Sequence, residues 1–265
     1  MNIFKYEFKS YLKENIIWTV SLILCLLLFL SIYPSFSSEA EKLERLLNNF
    51  PETFKKAFGF NNLTFSSINS FYSMIFMYIK LIGAIFAMKL GLDIMSKEIR
   101  EKTVEFLVVK PVNRKQIITP KFLAVLTHVI IMNVIYLICA LLLVQIFKKV
   151  EFDFKTFLLI SLSLFFIQIF FLTFGILIGT IVKKIKSVLP ITMGVVFGFY
   201  IIQLLNNTLQ DKKLSYISPF GYFDPDSIML EIAYKTNYLI LNFILAMVFI
   251  CFAYIRYQKK DFPSI

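Results

Sequence analysis

Lys80 stands inside a run of apolar residues, about 71–95, where an ammonium group at mid-bilayer depth costs at least about 2.5 kcal/mol. It lies roughly nine residues into the run, about 14 Å along a helix axis at 1.5 Å per residue, which is far for its side chain to reach either surface. It therefore faces the interior of a bundle or a wet cavity, unless the run starts later and the ammonium reaches the outer headgroups. Ser73, Lys80, Ala84, Ala87 and Gly91 share one helical face, and the small side chains let a neighbouring helix approach closely. That face is a candidate transport pathway, a subunit seam, or both. Gln168, Tyr200, Gln203, Asn206 and Asn207 are polar enough to line a path, although interhelical hydrogen bonds account for them equally well. Lys89 and Asp93, one helical turn apart, predict a local ion pair.

Bond-making chemistry finds little support. His128 is the only histidine, and HExxH, GxSxG and paired intramembrane carboxylates are all missing from the sequence. No GxxxxGK[ST] phosphate loop occurs, so nucleotide hydrolysis is expected on another polypeptide. Cys25, Cys139 and Cys251 fall within apolar runs, where a thiol acts as a small apolar side chain. The chain is thus expected to have no catalytic residues, no metal and no cofactor of its own.

The elements that must hold these residues follow from hydropathy. Hydrophobic residues make up 58% of the 265, with 31 Phe and a mean hydropathy of +0.74, well beyond a soluble domain. Six apolar runs, at about 16–35, 71–95, 122–147, 157–182, 188–207 and 238–254, are each long enough to span a bilayer as a helix. Lipid offers no water to unpaired backbone groups, so helices are required. The prediction is an all-α polytopic membrane protein forming a single transmembrane domain over 1–265. Residues 1–15 alternate apolar positions with Lys5, Lys9 and Lys13, which predicts a helix lying flat on the inner leaflet; a plain extension of the first span is the alternative. The segment reads as a retained anchor rather than a cleaved signal peptide. Ser38 and Glu41 predict a capping box for a short outer helix, and Pro51 starts another that runs to Gly59. Gly175 with Gly179, and Gly194 with Gly198, form GxxxG pairs that predict helix contacts.

The net charge of +11 would point a soluble protein toward nucleic acid, but here its distribution sets orientation. With the amino terminus inside, inner segments carry 16 basic residues and outer segments 10, the latter balanced by acids. Both termini are expected in the cytoplasm, with no nucleic-acid partner.

The most informative loop joins the second and third spans. Ile99, Thr103, Phe106 and Leu107 share a face of a predicted amphipathic helix over 97–110, ringed by Glu98, Arg100, Glu101, Lys102 and Glu105 and stopped by Pro111. Pinned between two spans, such a helix can pass force from a soluble partner into the bundle; a solvated charged turn is the plainer reading.

Around this loop, Glu98, Thr103, Glu105, Leu107, Pro111, Arg114 and Lys121 stand where type-2 permeases of ATP-binding-cassette (ABC) transporters resemble one another. PETFKKAFGF at 51–60 is similar to the segment before their second span, and SPFGYFDP at 218–225 to a motif of their last outer loop. Lys102 departs from the usual glycine. The resemblance covers essentially the whole chain. It implies a permease in the bacterial cytoplasmic membrane, in contact with lipid, that pairs with a second permease and two cytoplasmic ABC ATPase subunits. A homodimer is expected, and a heterodimer also fits. ATP and Mg would be held by the ATPase. It further implies that Glu98, Arg100, Glu101, Thr103, Glu105, Phe106, Pro111 and Arg114 couple to that ATPase, with the loop from Lys183 to Ser187 as a secondary contact. Short outer loops and an apolar bundle suit export of an amphipathic cargo, an antimicrobial peptide or peptide toxin first; sodium, drugs or lipids are alternatives. An ion-driven secondary transporter or channel, or a non-transporting scaffold, are readings of other classes.

Overall fold

The structure, a computed structural model, describes residues 3–57, 67–101, 103, 113–149, 151–182, 185–209 and 211–259. Six of its helices are long and apolar enough to cross a membrane: α1 (Ile3–Ser38), α4 (Ile68–Arg100), α5 (Arg114–Phe147), α6 (Phe154–Ile181), α7 (Val188–Leu209) and α11 (Thr236–Gln258). Between them lie the short helices α2 (Ala40–Asn48), α3 (Glu52–Ala57), α8 (Lys212–Ser215), α9 (Pro219–Tyr222) and α10 (Pro225–Glu231). No strand occurs among the described residues. The chain is an all-α polytopic membrane protein, and both of its described ends lie at one end of the bundle, called here the terminal end.

Two helices form the centre. In their most apolar stretches α4 is 72% buried and α6 61%, against 17–28% for the other four, which therefore surround this pair. The two approach through glycines. A methyl group added at Gly91 would lie 2.2 Å from the carbonyl oxygen of Leu172, and one at Gly175 would lie 2.5 Å from that of Met88. Backbone thus touches backbone, the arrangement that small residues permit where no hydrophobic effect drives helices together. Polar side chains stitch the same region. The Tyr72 hydroxyl meets Tyr136 at 2.8 Å and Ser161 at 2.7 Å, linking α4, α5 and α6, while Asn242 donates to the Phe166 carbonyl at 3.1 Å and ties α11 to α6.

Several sequence expectations are corrected here. No break divides residues 1–15 from the first span: α1 runs continuously, because Glu7, Tyr11, Asn15, Thr19, Leu22, Leu26, Leu30 and Tyr33 form one buried stripe at spacings of three and four. Ser38 does not cap α2; its hydroxyl donates back to Ser35 O at 2.7 Å within α1, and Glu39 takes the cap position. Among the described residues, nothing beyond their own helix lies within 4 Å of where a side chain on Gly194 or Gly198 would start, so their face is open. The helix starting after Pro51 is described only to Ala57. The segment 97–110 is also changed at its start, since residues 97–100 continue the second span as the last turn of α4. Lys102, Glu105, Phe106, Leu107 and Pro111 lie outside the described residues.

The SPFGYFDP stretch folds as two helix starts. Ser218 and Asp224 stand at the N-cap positions of α9 and α10, each followed by proline at the first helical position, where the missing N–H costs nothing. The Asp224 carboxylate accepts from Ser227 N at 3.0 Å.

The close α4–α6 approach yields a direct test. Gly91→Ala should destabilise the chain by about 1–3 kcal/mol through overpacking, whereas Gly194→Ala should stay within about 0.5 kcal/mol of the parent. Thermal unfolding in lipid nanodiscs measures both.

Candidate functional site

At the terminal end, charges from three helices meet away from water. Lys121 of α5 is 1% exposed. Its ammonium donates to Ile94 O at 2.8 Å, pairs with Glu98 at close range, and lies 3.7 Å from Glu7 of α1. The other Glu7 oxygen accepts from Lys97 at 3.2 Å, and Lys97 also donates to Ser10 Oγ at 3.0 Å. Arg100 pairs with Asp93 at 2.6 Å, and the Tyr11 hydroxyl donates to the same carboxylate at 2.8 Å. Buried charges persist only when paired and hydrogen-bonded, so this cluster clamps α1, α4 and α5 into one unit.

The clamp redefines several residues expected to face a partner. Glu98 and Arg100 are held inside the chain by Lys121 and Asp93. Arg114 donates to the carbonyls of Tyr257 and Gln258, at 3.2 and 3.1 Å, and so closes the end of α11. Cationic side chains suit that position because the last carbonyls of a helix lack partners. Of the expected coupling residues, Glu101 is exposed and Thr103 half-buried; Glu105, Phe106 and Pro111 lie outside the described residues. In the 183–187 loop, Lys186 and Ser187 are exposed and Ile185 is buried. The expected Lys89–Asp93 pair does not form: Lys89 reaches Glu14 of α1 instead. His128 is fully buried, stacked on the Phe8 ring at 4.5 Å with Nε2 2.9 Å from the Phe8 carbonyl, another tie to α1.

Toward the opposite end, Lys80 is 3% exposed and donates to the carbonyls of Phe220 and Phe223, at 3.3 and 3.1 Å. These carbonyls belong to the second residue of α9 and to its C-cap, so the lysine satisfies acceptors that a four-residue helix leaves bare. The helix α9 is seated by Ser218, which donates to Phe199 O of α7 at 2.9 Å, and by Phe220, which packs against Phe171 and Tyr200. A side chain at Gly221 would begin 2.5 Å from Gln203 Oε1, so adding one would force the Gln203 side chain to shift.

A small, partly open cleft of about 40 Å³ adjoins Lys80. Its walls include Ser73, Met74 and Met77 of α4, Tyr200, Gln203 and Asn207 of α7, and Asp224, Pro225 and Asp226 of the loop. Ser73 Oγ donates to Asp226 Oδ1 at 3.1 Å. Burial, then the neighbouring Asp224 charge, pushes the Asp226 carboxyl up to about 6, against the opposing effects of Ser73 and Lys80.

The residues singled out for a pathway or seam therefore separate. Lys80 and Gln203 meet at the cleft. Ala84, Ala87 and Gly91 lie away from it, buried between helices of this chain, where close packing uses their small size. Gln168 is likewise internal, accepting from Asn133 at 2.5 Å and donating to Gly83 O at 3.3 Å. Glu7, Lys97, Asp224 and Asp226 were missed as site residues. For Glu7 a signal existed, an acid inside an otherwise apolar helical stripe; for the aspartates, the DPD stretch offered only turn chemistry.

The family model of ABC-2 family transporter proteins matches residues 1–262. The chain belongs to the ABC-2 transporter family. It is accordingly the transmembrane subunit of an ABC transporter, a multi-pass membrane protein whose family works with an ATPase partner. No individually curated protein matches the sequence significantly. Within this ABC-2 permease, the segment after the second span emerges directly from the clamp, because Lys97, Glu98 and Arg100 occupy the last turn of α4.

Two consequences can be measured. Lys121→Met should cost about 3–5 kcal/mol, as expected when one member of a buried charge cluster is removed and the others stay behind; thermal unfolding in nanodiscs reads the loss. Asp226 gives a pH dependence. Its folded pKa of about 6 exceeds the ordinary value of 3.8, so the folded state binds more protons between those values. Its contribution to stability is present below pH 3.8 and is lost as pH rises through 6. Asp226→Asn should flatten that part of the unfolding profile between pH 4 and 7.

Proposed function

We propose that this chain is the membrane subunit of an ATP-driven exporter that moves an amphipathic cargo, an antimicrobial peptide or peptide toxin in the first instance, out of the cell. Both termini and the 97–112 segment lie in the cytoplasm in this reading. Two copies of the chain assemble with two ATPase subunits, which hold ATP and Mg and carry out the hydrolysis. The bundle alternates between inward-open and outward-open states as the ATPases close and separate.

The observation that carries the reading is the mechanical connection at the terminal end. The segment that a motor would push begins at Glu101, immediately after the turn of α4 whose Lys97, Glu98 and Arg100 are locked into the clamp. A displacement there acts on α1, α4 and α5 together, since interfaces of this kind move as packed units rather than deform. Dimerisation is supported by the open Gly194–Gly198 face of α7, flanked by exposed Phe197 and Ile201, where a second copy can approach closely. The apolar bundle favours amphipathic cargo over a hydrated ion.

Because Glu98 is held by Lys121, the contact with the motor is best tested at exposed or loop positions. With the chain and its ATPase reconstituted together, Glu101→Lys combined with Glu105→Lys should lower permease-dependent ATP hydrolysis at least roughly tenfold, equivalent to about 1.4 kcal/mol of lost contact energy. The unfolding midpoint should not change. Thr103→Cys should react with a membrane-impermeant maleimide only from the cytoplasmic side. Labelling from outside, or cargo movement without any ATPase, would overturn the proposal.

A further inference from the structure

Gln203 is 6% exposed in the wall of the cleft beside Lys80, and its Oε1 has no hydrogen-bond partner among the described residues. Its Nε2 is already used, donating to Asn207 Oδ1 at 2.7 Å. A buried acceptor left bare is costly, and here its side chain forms part of the wall of a cleft of about 40 Å³, room for one small donor group. The same cleft holds two carboxylates. Asp224 caps α10 through Oδ2 and Asp226 accepts from Ser73 through Oδ1, so among the described residues each carboxylate uses one oxygen in this way. Lys80 also lines the cleft, and its ammonium donates to the carbonyls of Phe220 and Phe223. The two carboxylates outnumber the single ammonium among the residues lining the cleft, an excess of negative charge. Met74 and Met77 of α4 supply adaptable apolar wall next to them.

We propose that this cleft binds the ammonium or guanidinium group of an amphipathic molecule. Asp226 and Gln203 Oε1 accept its hydrogen bonds, and Met74 and Met77 carry the adjoining apolar part. An anion is disfavoured because two carboxylates face it while two of the three N–H groups of Lys80 serve the carbonyls of Phe220 and Phe223. Identification of the ligand as cargo rests on the export reading above; the binding chemistry does not.

The test uses the full chain in lipid nanodiscs and three photoreactive alkyl diazirines of equal length, ending in a primary ammonium, a hydroxyl or a carboxylate. The ammonium probe should label the peptide containing Met74 and Met77 with an apparent affinity roughly tenfold above the other two. Gln203→Met and Asp226→Asn should each remove that preference and leave labelling by the hydroxyl probe unchanged. Equal labelling by all three probes, preference for the carboxylate, or label placed elsewhere would overturn the site. If either substitution prevents folding, the comparison of the three probes on the unaltered chain decides the question. Unselective labelling beside intact ATP-driven export rejects the site and retains the exporter. Selective labelling without ATP-driven movement of the probe does the reverse.

Discussion

An ammonium group buried among apolar helices must find its counter-groups within the protein, and this requirement organises both ends of the chain. Lys121 and Lys97 draw Glu7, Glu98 and Ser10 around them, binding α1, α4 and α5 at the terminal end. Lys80 instead draws two main-chain carbonyls of a short loop helix, which brings the SPFGYFDP stretch down against α4, α6 and α7. The two solutions differ in kind. A carboxylate cluster is a rigid, mutually dependent set in which no member can leave alone. Lysine on carbonyls holds a loop without fixing its charge balance, and so leaves carboxylates beside it for other use.

Between these ends, the α4–α6 contact works as a spine. Backbone approaches backbone at Gly91 and Gly175, leaving no soft side-chain layer in which small displacements could be absorbed. The clamp and the cleft share α4, so they are connected through one 33-residue helix about 50 Å long. In the proposed exporter, that helix is the element through which a push at one end would reach the other. The peripheral helices α7 and α11 are the least buried of the six and remain for lipid or a second subunit.

The misplacements in the sequence reading have a common origin. Periodicity told which residues of α4 share a face, but Ser73 and Lys80 at one end of that face line a cleft while Ala84, Ala87 and Gly91 pack against other helices. One stripe met two different neighbours. The coupling segment shows the same limit: the charges of Glu98 and Arg100 are those of a solvated surface when seen alone, and only the arrival of Lys121 from α5 and the position of Asp93 turn them inward. A local Lys89–Asp93 pair was plausible by spacing, yet Glu14 from another helix competes and wins.

What the sequence determined by itself is what depends on local physics. Six helices of bilayer length follow from the cost of unpaired backbone groups in lipid. Only the tertiary structure decided which charges are partners, which glycines are contacts, and that a loop 140 residues downstream supplies the acceptors for Lys80. The physical reason is that a helix face is encoded within one turn of chain, whereas the neighbour that satisfies it is chosen by packing across the bundle.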